Sequence, residues 1–300
     1  MFDVVIPVFN KELSIKRALA SIELQSEFVD SVVVVNDGSN DNSLNNIEEY
    51  KKVSKLNIVL INQLNKGVSC ARNSGVQYCR TEFICFLDAD DEWRPGYLKE
   101  MSRLISLYQE ANLVCLAHFI QDAARRYRPS HAFGESEEGY VHDFFLSSAK
   151  GSVANSSKVA VRRSMFLAIG GFPEGIKVGE DLFFWIKCAL NGPVAASGKT
   201  LVIVHRDFDV NRVKRVKGGV PYPVIYFSEN RELINNNLSL KKYLCKIAFR
   251  HVAGSAKDKD IKTCISIIKP LFGISIIWGC LSTIICLIPS GILRLAKKIS

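Results

Sequence analysis

Across the first two hundred positions, apolar residues recur as short unbroken runs separated by polar turns and by stretches of helical period. Asp3 to Val8, Ser31 to Asn36, Asn57 to Ile61 and Phe83 to Leu87 are rich in branched and aromatic side chains, the pattern of strands buried on both faces. Between them, Ile15, Ala18, Leu19 and Ile22 fall at i, i+3, i+4 and i+7 and predict a helix from about Lys11. Asn40 to Asp41 is a natural helix start, and a further helix is predicted near Ser69 to Tyr78. Tyr97, Met101, Leu104, Ile105 and Tyr108 form the apolar face of the next helix, with Pro95 expected in its first turn. Later strands are predicted at Leu113 to Ala117, Val153 to Val161 and Leu201 to His205, with a turn at Ala168 to Phe172 and a helix opened by Gly179-Glu180-Asp181. Residues 118–150 read as irregular and polar. There Arg125, Arg126 and Arg128 fit a solvated loop better than a phosphate contact. Strands alternating with helices imply right-handed βαβ units and a largely parallel sheet.

That topology sends three loops to one edge: the loop after Val8, the loop carrying Asp37, and the loop carrying Asp88, Asp90 and Asp91. In open parallel sheets ligands bind in the crevice outside the carboxyl ends of the strands. Hard carboxylate oxygens clustered there suit a divalent cation. Taken alone, the acids after Leu87 read equally as a polar turn with Asp91 or Glu92 capping the next helix, and Asp181 reads as a helix cap. No GxGxxG follows the first strand and no GxxxxGK[ST] occurs. A nucleotide would therefore be held by carboxylates and a metal.

Composition narrows the classes. With 300 residues, 48% hydrophobic and 23% charged, the chain is folded and long enough for one large α/β domain with an appendage. Nine cysteines without a CxxC pair or a His/Cys cluster read as reduced core thiols in a cytosolic setting. The start, MFDVVIPVFNKE, carries no secretory pattern. The net charge of +9 is concentrated late: residues 199–300 hold 18 Lys and Arg against 6 Asp and Glu. That basic third lacks aromatic-basic interleaving or a helix-turn-helix pattern and adjoins an apolar tail, which favours a membrane over nucleic acid.

Four blocks in order, VVIPVFN (4–10), VVVVNDGSND (32–41), NKGVSCARNSG (65–75) and FICFLDADDEW (83–93), together with IGGFPEG…GEDLFFW (169–185), resemble family 2 glycosyltransferases of the GT-A fold. The resemblance implies a Rossmann-like, mostly parallel α/β fold over 1–210, with a donor-binding part at 1–117 and an acceptor side at 118–210. A basic helical linker at 211–260 and a hydrophobic membrane-associated tail at 261–300 would follow. It implies an inverting, metal-dependent transferase that moves one sugar from a nucleotide-sugar, UDP favoured, to a hydroxyl of a glycan acceptor, lipid-linked, in bacterial surface polysaccharide synthesis such as O-antigen, capsule or lipopolysaccharide core. By the same resemblance Asp88 and Asp90 form a DXD element for Mg²⁺ or Mn²⁺, with Asp90 the direct ligand and Asp88 nearer the ribose or a water on the metal. Asp37 would read the base, with Pro7 and Phe9 lining the nucleobase slot and Asn10 beside them. Phe9 departs from the commoner tyrosine. Arg72 would lie near the nucleotide or donor sugar, Asp181 would be the general base with Glu180 orienting it, and His205 would complete the metal or diphosphate contacts. A processive synthase is disfavoured, because no QxxRW-like element precedes Trp185. The alternatives are a catalytically silent nucleotide-sugar-binding protein and a nucleotidyltransferase.

Nucleotide-sugars place such an enzyme on the cytoplasmic side of the cell membrane. Residues 270–293 carry no charge, enough to cross a bilayer, with Lys257, Lys259, Lys262 and Lys269 before them and Arg294, Lys297 and Lys298 after. Basic flanks stay cytoplasmic. A re-entrant or in-plane segment is thus expected over a single crossing or a buried C-terminal helix, with Gly279 and Pro289-Ser290-Gly291 allowing a bend. Lys241, Lys242, Lys246 and Arg250 would meet anionic headgroups.

Overall fold

The strand Phe2–Val8 (β1) is buried along its whole length, which requires neighbours on both sides within a sheet and cover on both faces. The computed structural model describes residues 1–206 and 219–288. β1 runs parallel between Val29–Asp37 (β2) and Phe83–Phe86 (β4), and Ile58–Gln63 (β3) pairs parallel on the far side of β2. The connecting helices are Ile15–Glu23 (α1), Ser43–Val53 (α2) and Val68–Val76 (α3). Strand order 3-2-1-4 reverses at β1, and a crevice opens beyond the carboxyl ends of β1 and β4 at such a switch point. α3 approaches closely because Gly75 has no side chain; a Cβ there would come within 2.5 Å of Val5 Cγ1.

The sheet continues with Glu92–Trp93 (β5), Tyr97–Leu107 (α4), Leu113–Gln121 (β6), Arg126–Tyr127 (β7), Glu138–Tyr140 (β8), Phe144–Lys150 (α5), Val159–Arg162 (β9), Arg163–Ala168 (α6), Glu180–Leu190 (α7) and Val194–His205 (β10). Its full order is β3-β2-β1-β4-β9-β6-β10-β5, with β7 on β6 and β8 on β10. β9 runs antiparallel between β4 and β6, and β10 is parallel to β6. The expected mostly parallel α/β sheet is therefore observed, with an antiparallel strand at its centre. Ile15, Leu19 and Ile22 of α1 and Met101 and Leu104 of α4 share one core with Val4, Ile6, Val32 and Val34. All nine cysteines are free thiols.

Several expected boundaries move, for local reasons. α1 begins at Ile15, because Lys11 N donates to Ser43 Oγ (2.7 Å) and Glu12 N to Asp41 Oδ2 (3.0 Å), holding residues 11–14 as a turn. Pro95 precedes α4 instead of entering it. Gly96 at φ +92° caps that helix, and neither Asp91 nor Glu92 does. β6 extends to Gln121, paired with His205, and 118–150 carries two short strands and a helix. The single strand expected at Val153 to Val161 is a 3-10 turn, Ser156–Lys158, followed by β9. Asn155 starts that turn by accepting from Ser157 N (3.1 Å). The three arginines of the 125–128 segment have local uses: Arg128 donates to the Gly198 and Phe133 carbonyls (3.0 and 2.9 Å), Arg126 to Gln121, and Arg125 stacks on Tyr127.

The chain divides into two compact units, Met1–Gly175 with Phe184–Asp209, and Ile176–Phe183 with Val210–Ser300. In the second lie Tyr222–Glu229 (α8), Glu232–Asn235 (α9), Leu238–Lys257 (α10), Ile261–Ile274 (α11) and Ile276–Leu287 (α12). Phe183 packs among Tyr222, Tyr226 and Phe227. α10, α11 and α12 pack on one another, so the basic stretch before residue 260 and the tail after it share one unit. The apolar run expected from 270 is not a single helix. It breaks at Ser275, whose backbone is extended (φ −156°, ψ 119°), rather than at Gly279. Among the described residues no helix is long and apolar enough to cross a membrane. Pro289-Ser290-Gly291 and the basic residues after them lie outside the described residues.

Candidate active site

Register puts the three expected loops on one edge. Val8 at the end of β1 pairs with Asn36, Asp37 at the end of β2 pairs with Gln63, and Phe86 at the end of β4 pairs with Val5. The loop after β1 ties them together. Asn10, at φ +53°, donates from its backbone to Ser39 Oγ (3.1 Å) and accepts from Asn40 N (2.8 Å). Lys11 Nζ meets Asp90 Oδ2 at 2.5 Å, and Arg17 donates to the Asp90 carbonyl. Phe9 is exposed at this edge, whereas Pro7 is buried within β1 opposite Val35.

Asp37 is almost fully buried and closes the loop after β3. Its Oδ1 accepts from Gln63 Nε2 (2.7 Å) and Lys66 N (2.9 Å), and its Oδ2 from Gly67 N (2.8 Å). A carboxylate offers about four acceptor positions. These three donors leave one of them, on Oδ2.

The acids after β4 have three different surroundings. Asp88 accepts from Arg72 at 2.7 Å, and Asp90 faces Lys11. Asp91 instead is buried. It accepts from Ser157 Oγ (2.5 Å) and His205 N (3.0 Å). Burial pushes its carboxyl well above the usual carboxylate range, and the neighbouring charges of Asp90 and Asp88 push the same way against those two hydrogen bonds. Ser157 works on three sides: its hydroxyl also accepts from Asp88 N (3.2 Å), and its carbonyl accepts from Trp93 Nε1 (2.6 Å). Trp93 stacks on Tyr97 at 4.2 Å. The His205 ring reaches this segment, with Nε2 at 3.1 Å from Glu92 Oε1.

Arg72, on the buried side of α3, sits 5.0 Å over the Phe172 ring while donating to Asp88. The next residue, Asn73, latches the GGFPEG turn. Its amide donates to the Phe172 carbonyl (2.9 Å) and Glu174 Oε1 (3.0 Å) and its oxygen accepts from Phe172 N (2.9 Å). Gly171, at φ +72°, makes room, since a Cβ there would lie 2.7 Å from Asn73 Oδ1. Phe172 stacks on Phe184 of α7 at 4.2 Å. Glu180 and Asp181 form the first turn of α7, and Asp181 Oδ1 accepts from Leu182 N at 2.7 Å. They fall in the stretch Ile176–Phe183 of the second unit, while Asp37, Arg72, Asp88, Asp90 and His205 belong to the first.

The family model for glycosyl transferase family 2 matches residues 3–170. The chain belongs to that family. The match takes in Asp37, Arg72, Asp88 and Asp90 and ends before Asp181 and His205. Among family relatives, the putative glycosyltransferase EpsH of Bacillus subtilis is 38% identical over 98 residues, 33% of this chain and 28% of that protein. The minor teichoic acid biosynthesis protein GgaB of the same organism is 39% identical over 124 residues, 40% of this chain and 14% of that protein. The chain thus spans under a third of either relative. The crystal structure of S. aureus TarS 1-349 in complex with UDP-GlcNAc superimposes with a TM-score of 0.69 at 21% identity, covering 90% of this chain and 81% of that one. That likeness establishes the GT-A fold.

Family 2 enzymes commonly use a divalent metal. The donor set here is chemically apt, with Asp88 and Asp90 offering hard oxygens, each now balanced by one cationic side chain, Arg72 and Lys11. In this arrangement no group of three His, Cys, Asp or Glu among the described residues converges as a metal cage. His205 turns to Glu92 rather than to Asp88 or Asp90. Lys11, Arg17, Asn73 and Ser157 are site residues that the sequence reading passed over. Asn73 lay within the quoted NKGVSCARNSG block, while Ser157 had no local signal.

Proposed function

We propose that the chain is an inverting glycosyltransferase that moves a single sugar from a nucleoside-diphosphate sugar, UDP favoured, to a hydroxyl of a lipid-linked glycan in the assembly of a bacterial cell-surface polymer. It would work at the cytoplasmic face of the cell membrane, held there by its C-terminal helices. The observation that carries this reading is the shared sheet edge, where Asp37 keeps one acceptor position open and two acids stand charge-balanced by Arg72 and Lys11. The minor teichoic acid biosynthesis protein GgaB supports the polymer, and the UDP-GlcNAc bound to TarS supports the donor class.

Asp37 accepts the pyrimidine N–H while Phe9 covers the ring. Asp88 and Asp90 would hold the Mg²⁺ or Mn²⁺, which would supply Lewis-acid stabilisation of the departing diphosphate. Lys11 and Arg72, which stand at the same edge on Asp90 and Asp88, bring positive charge that offsets that of the leaving group. His205 and Glu92 steady the segment that carries these acids. Asp181, oriented by Glu180, takes the proton of the acceptor hydroxyl as its oxygen attacks the anomeric carbon opposite the departing diphosphate, which inverts that centre.

A panel of nucleotide-sugars incubated with the purified full chain and Mn²⁺ tests the reading. Nucleoside diphosphate should appear with one donor class, and Asp90→Asn or excess EDTA should abolish it. Full turnover by Asp90→Asn in EDTA would refute the metal role, and no turnover of any nucleotide-sugar would refute the transferase.

A further inference from the structure

α12 is built inside out. Toward α10 and α11 it buries Gly279 and Ser282. To the outside it turns Ile276, Ile277, Leu281, Ile284 and Leu287, which are 71%, 72%, 44%, 56% and 79% exposed. The spacing i, i+1, i+5, i+8, i+11 is one continuous helical face, and no charged residue occurs anywhere in Ile276–Leu287. A helix that meets water on one side has the opposite arrangement. Small residues at the helix contact and large aliphatic residues outside are how helices pack when their surroundings are lipid. The contact is close for that reason: a Cβ on Gly279 would lie 2.5 Å from the Phe272 ring of α11. Trp278 meets Phe249 of α10 edge-on at 5.4 Å, so the exposed face is fixed relative to its bundle.

We infer that this face of α12 inserts into one leaflet of an anionic bilayer and lies in its plane, docking the second unit on the membrane without crossing it. The inference deepens the proposed membrane location by naming the surface and its depth. Length sets the depth: 12 residues make a helix of about 18 Å, against about 30 Å of hydrocarbon. Charge selects the partner. From Lys257 to Ser300 the sequence has seven Lys and Arg and two Asp. Lys259, just before α11, and Lys262 and Lys269 on it are exposed, as are Lys242 and Arg250 on α10, the two helices that pack against α12. Such a basic margin suits anionic headgroups. It disfavours a second copy of the chain, whose own basic margin would meet it. A protein partner would call for aromatic anchors, whereas the exposed face of α12 is mainly aliphatic, with Cys280 and Thr283 as its other members.

The test uses the purified full chain and sedimentation with phosphatidylcholine vesicles, with and without phosphatidylglycerol. The wild type should sediment with the anionic vesicles, stay bound in high salt and be released by detergent. Ile277→Ser combined with Leu281→Ser and Ile284→Ser, all surface changes, should weaken partitioning about tenfold or more while leaving the circular dichroism and the turnover of nucleotide-sugar in solution unchanged. An environment-sensitive dye on the exposed Cys280 should shift to the blue on binding and be quenched by lipids brominated near the headgroup more than by those brominated at the chain end. Wild type left in the supernatant, release by salt alone, equal binding by the triple variant, or stronger quenching from the chain ends would each overturn the inference. A wild-type dimer that the triple variant converts to monomer would assign the face to a second copy instead. Binding is read without any sugar transfer, so this result and the failure of the transferase reading are separable.

Discussion

Lys158 is completely buried beside the acid-bearing segment. Its Nζ donates to the Ser152 carbonyl (2.5 Å) and lies 3.3 Å from His118 Nδ1. The groups acting on it are the Cys115 thiol and the Arg128 guanidinium, with His118 and His131 beside it; none is a carboxylate. Burial pushes the amine down from the ordinary 10.5 to about 7. Burial and the same amine push the two imidazoles down to about 2 and about 3. The fall at Lys158 amounts to about 5 kcal/mol, at about 1.4 kcal/mol for each tenfold step in the protonation equilibrium. Between pH 7 and 10.5 the unfolded chain carries a proton at this amine that the folded chain lacks. Stability therefore rises with pH across that window, and below it the whole cost of charging the buried amine is present. Lys158→Met removes the titration and leaves the Ser152 carbonyl without its donor, a pH-independent loss of about 1–3 kcal/mol. The stability difference, variant minus wild type, should be most favourable near pH 7 and decline by about 3–4 kcal/mol by about pH 10. Urea unfolding of both proteins, followed by tryptophan fluorescence at a series of pH values, measures it. Taking the difference cancels the buried Cys79 and Cys85, whose raised pKa values make stability fall in alkali for both proteins alike. A difference that stays flat with pH would mean that the amine is charged in the fold, and the argument would fail.

Ser157→Ala removes the donor to Asp91 and the acceptor for Asp88 N, and should lower stability by about 1–3 kcal/mol and turnover with it; an unchanged unfolding midpoint would contradict the clamp. Asp37→Asn puts an amide among three donors, so calorimetry should show UDP binding at least about tenfold weaker, and equal affinity would remove Asp37 from the nucleotide site. Asp181→Asn should keep near-normal UDP affinity while transfer falls by about 10²- to 10⁴-fold. Lost affinity with unchanged turnover would move Asp181 to the donor side.

Much of the first unit was legible in the residues themselves. Runs buried on both faces name β1, β2 and β4 directly, because a strand with no polar side has no solvent face to show. Their alternation with helical stripes fixes a parallel order and sends Asp37 and Asp88 to Asp91 to one edge. The quoted blocks were enough to suggest the family. What a local pattern does not carry is the partner of each polar group, since that depends on register between distant segments. Three aspartates within four positions look alike in sequence. The fold separates them by bringing Ser157 from 66 positions away and His205 from 114 onto Asp91, leaving Asp88 and Asp90 to Arg72 and Lys11. The antiparallel β9 was hidden for the same reason: its place between β4 and β6 is a long-range pairing. In the tail, hydrophobicity alone marked a long apolar run. Only packing showed that the chain breaks at Ser275, that Gly279 serves close approach rather than a bend, and that five aliphatic side chains of α12 point away from its own bundle.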